Sequence, residues 1–357
     1  MAKIDTLFGT LLDREGSDLH MLQGQPPKIR LHGDLVALDH PPLTAESIRE
    51  YLEEICAPDR WSRYLEMMDI DFAYALGHRA RFRCNYMVHA GGMGAVFRII
   101  PSKIKTIEDL RVPPILRTFA YLRSGLVLVT GPTGSGKSTT LAAIIDLINE
   151  TQARHILTIE EPIEFVHNNK KSFLCQREVG IDVPTFADGL RSAGRLDCDV
   201  ILVGEMRDYD TISLAVSAAT MGSLVFGTLH TLSAVKTVDR IIDAFPAAKQ
   251  NQIRTMLADS LKGVCAQLLL KTCDGTGRMA VNEIVVANNA LANSIREGNT
   301  PNIRNVIQSG RQEGMQLMDD AIFKALQDKR ITEQEAYLKA VDKARFAPKQ
   351  EGEMALH

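Results

Sequence analysis

The chain has 357 residues, 41 basic and 44 acidic side chains and a formal charge of −3. That length accommodates two domains with a core each, and the near-balanced charge gives no electrostatic argument for a nucleic-acid partner. Six scattered cysteines without a C-x-x-C pair argue against a zinc site or a disulfide framework and fit a reducing cytosol.

The N-terminal MAKIDTLFGTLLDREGSDLH is amphipathic and carries acidic residues early, unlike an export signal. Residues 3–14 and 44–67 read as helical, and 27–31, 71–75 and 95–100 as short strands, so 1–100 is expected to form a small α+β domain. Over 101–114 the periodicity fades and three prolines gather, the pattern of an interdomain linker. From 115 to 345 the apolar runs 126–130, 155–160, 200–204 and 224–229 alternate with helical patterns, which predicts an α/β domain with a parallel sheet covered on both faces. A further strand over 279–286 precedes helical patterns from Asn289 to about Asp342. The chain turns charged at Lys343, and 346–357 is expected to be a mobile tail. Residues 211–235 carry no Asp, Glu, Lys or Arg. Serines, threonines, glycines and a histidine nevertheless dilute them too far for a membrane span, and they divide into a buried helix, a Met-Gly turn and a buried strand.

The strongest chemical signal is Gly131, Pro132, Thr133, Gly134, Ser135, Gly136, Lys137 and Ser138, a complete G-x-x-x-x-G-K-S followed by Thr139. It comes after an apolar run and opens a helical pattern over 138–148, the context a phosphate-binding loop requires. Its glycines let backbone N–H groups turn toward phosphates, the helix N-terminus adds positive potential, Lys137 reaches the β- and γ-phosphates, and Ser138 ligates magnesium. ATP and Mg²⁺ are the ligands this implies.

Four further features would serve such a site. The apolar run 200–204 ends in Glu205, a magnesium or water ligand if it emerges beside the nucleotide. Ile159-Glu160-Glu161-Pro162-Ile163-Glu164 delivers three carboxylates to what should be the same sheet edge, where one could orient the attacking water. Arg191 and Arg195 lie four apart and share a face if 186–195 is helical. They could stabilise transferring phosphoryl charge, in a neighbouring subunit, or be surface arginines pairing with Glu178 or Asp188. His230 follows the run 224–229, where a polar side chain could sense the γ-phosphate.

Taken together, GPTGSGKSTTLAAIID, HILTIEEPIEFVH, QREVGIDVPTFADGLRSA, DVILVGEMRD and LVFGTLHTLSAVKTVDRIIDAFP resemble the secretion-type traffic ATPases, specifically the PilT family of type IV pilus retraction motors. SDLH at 17–20, GDL at 33–35, RFRCN at 81–85 and GAVFRIIP at 94–101 resemble that family's PAS-like N-terminal domain. The resemblance implies a RecA-like P-loop core behind that smaller domain, a cytoplasmic homohexamer peripheral to the inner membrane, and nucleotide bound between the domains. It implies action on an inner-membrane pilus platform protein and leaves open a paralogous motor as a companion. By position it makes Glu164 the catalytic glutamate, Glu205 the Walker B glutamate and magnesium ligand, Arg191 or Arg195 the arginine finger and His230 the histidine of its box. Arg81, Arg83 and Arg98 would line the nucleotide cleft.

Leu291–Glu297 sits where the retraction family carries AIRNLIRE, and the four-cysteine insert of assembly and type II secretion ATPases is absent. The family usually has Asp where this chain has Glu161, histidine where it has Ser223, and LREDPD where it has GRLDCD over 194–199. These departures motivate an alternative, a weakly hydrolysing regulatory paralogue. A pilus assembly or secretion ATPase, or a DNA-translocating motor, are the other readings.

Overall fold

A computed structural model describes residues 2–31, 33–77, 79–100, 104–275 and 277–347. The beginning of the expected linker, 101–103, and the end of the expected tail, 348–357, lie outside the described residues. The chain divides into two compact units, Met1–Lys103 with Pro162–Val166, and Ile104–Glu161 with His167–His357.

The first unit contains α1 (Asp5–Asp13), β1 (Asp18–Leu22), β2 (Lys28–Leu31), β3 (Asp34–Ala37), α2 (Ala45–Ile55), α3 (Pro58–Met67), β4 (Asp69–Leu76), β5 (Ala80–His89) and β6 (Gly92–Ile100). Its sheet is antiparallel in the order β3-β2-β1-β6-β5-β4. Strand alternation sends Leu19, Met21, Phe72, Phe82, Cys84, Tyr86 and Phe97 into a core closed by α1, where Phe8 stacks on Phe82 at 4.0 Å. The opposite face carries Asp18, Arg30, Asp71, Arg81, Arg83 and Arg98. The helical stretch expected over 44–67 is in fact two helices. Cys56 and Ala57 are extended, because the residue before Pro58 is driven from helical backbone, and Pro58 then opens α3 in its first turn.

The second unit begins with α4 (Ile115–Phe119), then β7 (Gly125–Thr130), α5 (Lys137–Thr151), β8 (His155–Glu160), β9 (Phe173–Glu178), α6 (Phe186–Ala193), β10 (Val200–Val203), α7 (Tyr209–Thr220) and β11 (Leu224–Leu229). It continues with α8 (Ala234–Asp243), α9 (Ala247–Ser260), β12 (Leu261–Lys271), β13 (Arg278–Val286), α10 (Asn289–Arg296), α11 (Ile303–Ser309), α12 (Met318–Gln327) and α13 (Glu333–Lys339). The sheet order is β13-β12-β7-β11-β10-β8-β9, and every pairing is parallel except β12 with β13. Helices cover both faces. Leu126 and Leu128 of β7 enter one core and Val127 and Val129 the other.

Two findings revise the sequence reading of this unit. β12 passes unannounced because α9 runs straight into it: the α9 C-cap Leu261 is also the first strand residue, with no Gly or Pro between them. The chain also does not loosen at 346. Phe346 is buried in the cluster that includes Ile322 and Ala325, Arg345 pairs with Asp320 at 2.7 Å, and Lys343 Nζ donates to the carbonyls of Tyr337 and Leu338 at the end of α13. Among the described residues no helix is long and apolar enough to cross a membrane.

Candidate nucleotide site

The interior strand β7 hands over to the loop 131–136, whose Gly131, Gly134 and Gly136 adopt φ of 143°, 76° and 84°. Those values favour glycine, and at Gly131 space forbids anything else, since a Cβ there would lie 2.2 Å from the Gln267 carbonyl oxygen. Pro132, Thr133 and Gly134 form the exposed crest, while Ser138 and Thr139 follow in the first turn of α5. That helix has no side-chain cap, so its first N–H groups remain for an anion. Lys137 Nζ donates to the carbonyls of Gly131 and Pro132 at 3.0 and 3.1 Å, which folds the ammonium over the loop.

Beneath the loop lies a buried polar brace from β12 and β13. Gln267 Nε2 donates to the Ser135 carbonyl at 2.7 Å, and its Oε1 accepts from Thr140 Oγ1 at 2.9 Å and Asn282 Nδ2 at 3.0 Å. These three bonds tie the loop to the two strands beneath it.

The order β7-β11-β10-β8 sets the ends of three strands beside that loop. Glu205 stands just past β10 and His230 just past β11, with His230 Nε2 3.0 Å from Glu205 Oε1. Arg207 reaches back to the same carboxylate, Nη2 to Oε2 at 2.7 Å. Partial burial would push the Glu205 carboxyl up, but Arg207 and His230 outweigh it and hold it below the ordinary range. Arg207 in turn is raised, through its hydrogen bond to Glu205 and the charges of Glu205 and Glu161. The Glu205 turn is pinned from β11, where Met206 N–H donates to the Thr228 carbonyl at 3.0 Å and the Thr228 hydroxyl donates to the Gly204 carbonyl at 2.5 Å.

The acidic segment is divided between the two units. Glu160 Oε1 accepts from Thr158 Oγ1 at 2.7 Å and Gln176 Nε2 at 3.3 Å, and Glu161 stays exposed at the strand end. From Pro162 the chain leaves the strand direction, and Glu164 belongs with the first unit, 3.9 Å from Arg83. Within that unit Arg83 also pairs with Asp71 through Nε at 3.0 Å, Arg98 Nε donates to the buried Asp18 at 2.8 Å, and Arg83 and Arg98 face each other across β5 and β6. Arg81 lies on the same face of β5, two residues from Arg83.

Arg191 and Arg195 do not share a helical face. The helix α6 ends at Ala193, and the turn after it includes Asp197 at φ 52°. Arg191 is exposed and bonds Asp188 at 2.9 Å, whereas Arg195 makes no ion pair among the described residues. Arg207, Gln267 and Asn282 are the site residues that the sequence reading did not single out. For Arg207 the signal was present, a cation two residues past a strand-end carboxylate.

Two departures from the family pattern touch each other. The Ser223 hydroxyl donates to the Cys198 carbonyl at 3.2 Å, where the chain enters β11 and β10. Glu205 and His230 lie past the other ends of those strands, and at ~3.3 Å per residue the span of β11 places about 20 Å between the two edges.

A phosphate-binding loop on an interior strand of a mainly parallel sheet, with a carboxylate and a histidine at the ends of neighbouring strands, defines a RecA-like P-loop nucleoside triphosphatase. A family model described as type II/IV secretion system protein matches residues 69–345. The twitching motility protein of Neisseria gonorrhoeae is 51% identical over 83% of this chain and 79% of its own length. The type IV pilus retraction ATPase PilT of Pseudomonas aeruginosa is 48% identical over 85% of this chain and 88% of its own. A crystal structure of the pilus retraction motor PilT with bound ADP superposes with a TM-score of 0.89 at 38% identity, covering 97% of this chain and 98% of that one. The chain belongs to the type II/IV secretion system protein family, in its PilT branch.

Proposed function

We propose that this chain is a ring-forming, ATP-hydrolysing motor that retracts type IV pili, working as a homohexamer at the cytoplasmic face of the inner membrane against a pilus platform protein. The observation that carries the reading is the convergence of Lys137, Glu205 and His230 at three neighbouring ends of one parallel sheet. The names and near-full-length similarity of its relatives supply the cellular task.

The residues present fit a nucleotide with its metal. The left-handed glycines, the uncapped α5 and the buried, unpartnered Ser135 Oγ form a polar cradle in which a Cβ at Gly131 would clash. The loop from Gly131 to Thr139 would wrap the phosphates, Lys137 would leave its carbonyl partners for the β- and γ-oxygens, and the Ser138 hydroxyl and Glu205 carboxylate would hold Mg²⁺. That ion, when bound, neutralises charge developing on the transferring phosphoryl group. Glu164 is assigned to orient the attacking water, Arg191 or Arg195 to stabilise transition-state charge, and Arg81, Arg83 and Arg98 to bind phosphate oxygens. His230 reports the γ-phosphate to Glu205 through their hydrogen bond. The position of Ser223 and Cys198 at the far sheet edge argues against loss of hydrolysis in this chain.

Steady-state ATP turnover by the purified hexamer tests this. Glu205→Gln should lower turnover by about 10²–10³ while ADP binding persists, and Glu164→Ala should also abolish turnover without dispersing the ring. Background turnover in the parent protein would refute the motor reading and favour a regulatory paralogue.

A further inference from the structure

Glu283 is a buried carboxylate that none of the roles above uses. It projects from β13 toward two helix N-termini at once. Its Oε1 accepts from the N–H of Ala234, the first residue of α8, at 2.8 Å, and its Oε2 accepts from the N–H of Met318, the first residue of α12, at 3.4 Å. Only 7% of the residue is exposed. Burial pushes its pKa up, while the two backbone donors and Arg304 oppose that and Asp319 adds to it. Removing a carboxylate from water is costly, and the macrodipoles of two helices partly offset that cost.

The chemistry is specific to an acceptor-only group. A glutamine of the same length could accept one N–H but would turn its amide protons toward the other. The N-cap Ser233 accepts from Lys236 N–H and leaves the Ala234 N–H for Glu283.

Ala234 begins four residues after His230. Between them Thr231 Oγ1 meets Thr237 Oγ1 at 2.7 Å, and Thr237 also lies 3.5 Å from Thr130 at the end of β7. The first turn of α8 therefore touches both the strand that leads into the phosphate loop and the segment that presents His230 to Glu205. We infer that Glu283 is a positioning residue for ATP hydrolysis: by anchoring the N-terminus of α8 it holds the His230 segment in contact with Glu205. This rests on the reading of His230 and Glu205 given above.

A double-mutant cycle in the full-length protein tests it, with kcat and KM for ATP, ADP affinity and ring assembly measured for each variant. Glu283→Gln is expected to lower kcat about tenfold and to change KM and ADP affinity by less than about twofold. In a His230→Ala background the same change should add less than about twofold, because the contact it serves is already gone. Ala234→Pro, which deletes the N–H at a position suited to proline, gives the same kcat loss by a second route if Glu283→Gln does not fold. Independent, multiplicative losses from Glu283→Gln and His230→Ala would overturn the proposal while leaving the site reading intact. Parental turnover in His230→Ala would instead overturn the site reading and this proposal with it.

Discussion

Replacing Gln267 with leucine removes the brace beneath the phosphate loop without changing the size of the buried group much. Three partners are affected: the Ser135 carbonyl, the Thr140 hydroxyl and the Asn282 amide. Thr140 can turn to a carbonyl one helical turn back, and Asn282 keeps its weaker contact with Cys265 Sγ at 3.2 Å. Two groups are left short of a strong partner inside the protein, at about 1–3 kcal/mol each, so the loss is roughly 2–6 kcal/mol. With a urea dependence of ~3 kcal/mol/M for a unit of this size, the midpoint should fall by roughly 0.7–2 M. Circular dichroism reads that transition, and hydrogen exchange at residues 135–140 should speed up with it. Trp61 fluorescence follows the other unit separately, since the single tryptophan lies there. Gln267→Glu, which sets a carboxylate against the Ser135 carbonyl, should be no milder. An unchanged urea midpoint together with ADP affinity within twofold of the parent would refute this account of the loop.

Reverting Ser223→His and Cys198→Pro together should leave ATP turnover within about twofold of the parent, because both lie at the sheet edge away from Glu205. A tenfold change would mean that these positions reach the site. His167 is buried with Nδ1 3.7 Å from Asp146, and burial, outweighing that neighbour, holds it below its ordinary 6.5. The unfolded chain therefore takes up a proton there first, stability falls as pH drops below 6.5, and His167→Gln should flatten that slope by up to about 1.4 kcal/mol per pH unit in melting experiments. Of the six cysteines, Cys273 is exposed and Cys175 half-buried, while burial pushes Cys56 and Cys198 up to about 11 and Cys265 up to about 12. Iodoacetamide at pH 8 should label Cys273 first and Cys175 more slowly, and reach all six in denaturant, as mass spectrometry would show.

The residues legible beforehand were those whose chemistry is written locally. The loop from Gly131 to Ser138 needs three glycines, a lysine and a serine at fixed spacing between a strand and a helix, and all sit in one stretch. Glu205 and His230 were legible because each ends a continuous apolar run. Gln267 and Glu283 were not, because a lone polar residue in a strand acquires meaning only from elements far away in sequence. Gln267 serves a loop some 130 residues earlier, and Glu283 serves α8 and α12. The pairing of Arg191 with Arg195 failed for a different reason. Arg195 lies two residues past the end of α6, and the C-cap Gly194 keeps helical backbone angles, so the sequence carries no sharp stop there.

The five residues Pro162–Val166 make the first unit discontinuous in sequence. Ile163 and Phe165 are among its buried side chains, yet they are translated only after β7, α5 and β8. A ribosome making this protein at roughly 5–20 residues per second therefore releases the N-terminal segment several seconds before the piece that finishes it. A fragment ending near residue 100 would lack that piece permanently. The order of synthesis thus makes completion of the first unit wait on the strand that carries the acidic segment.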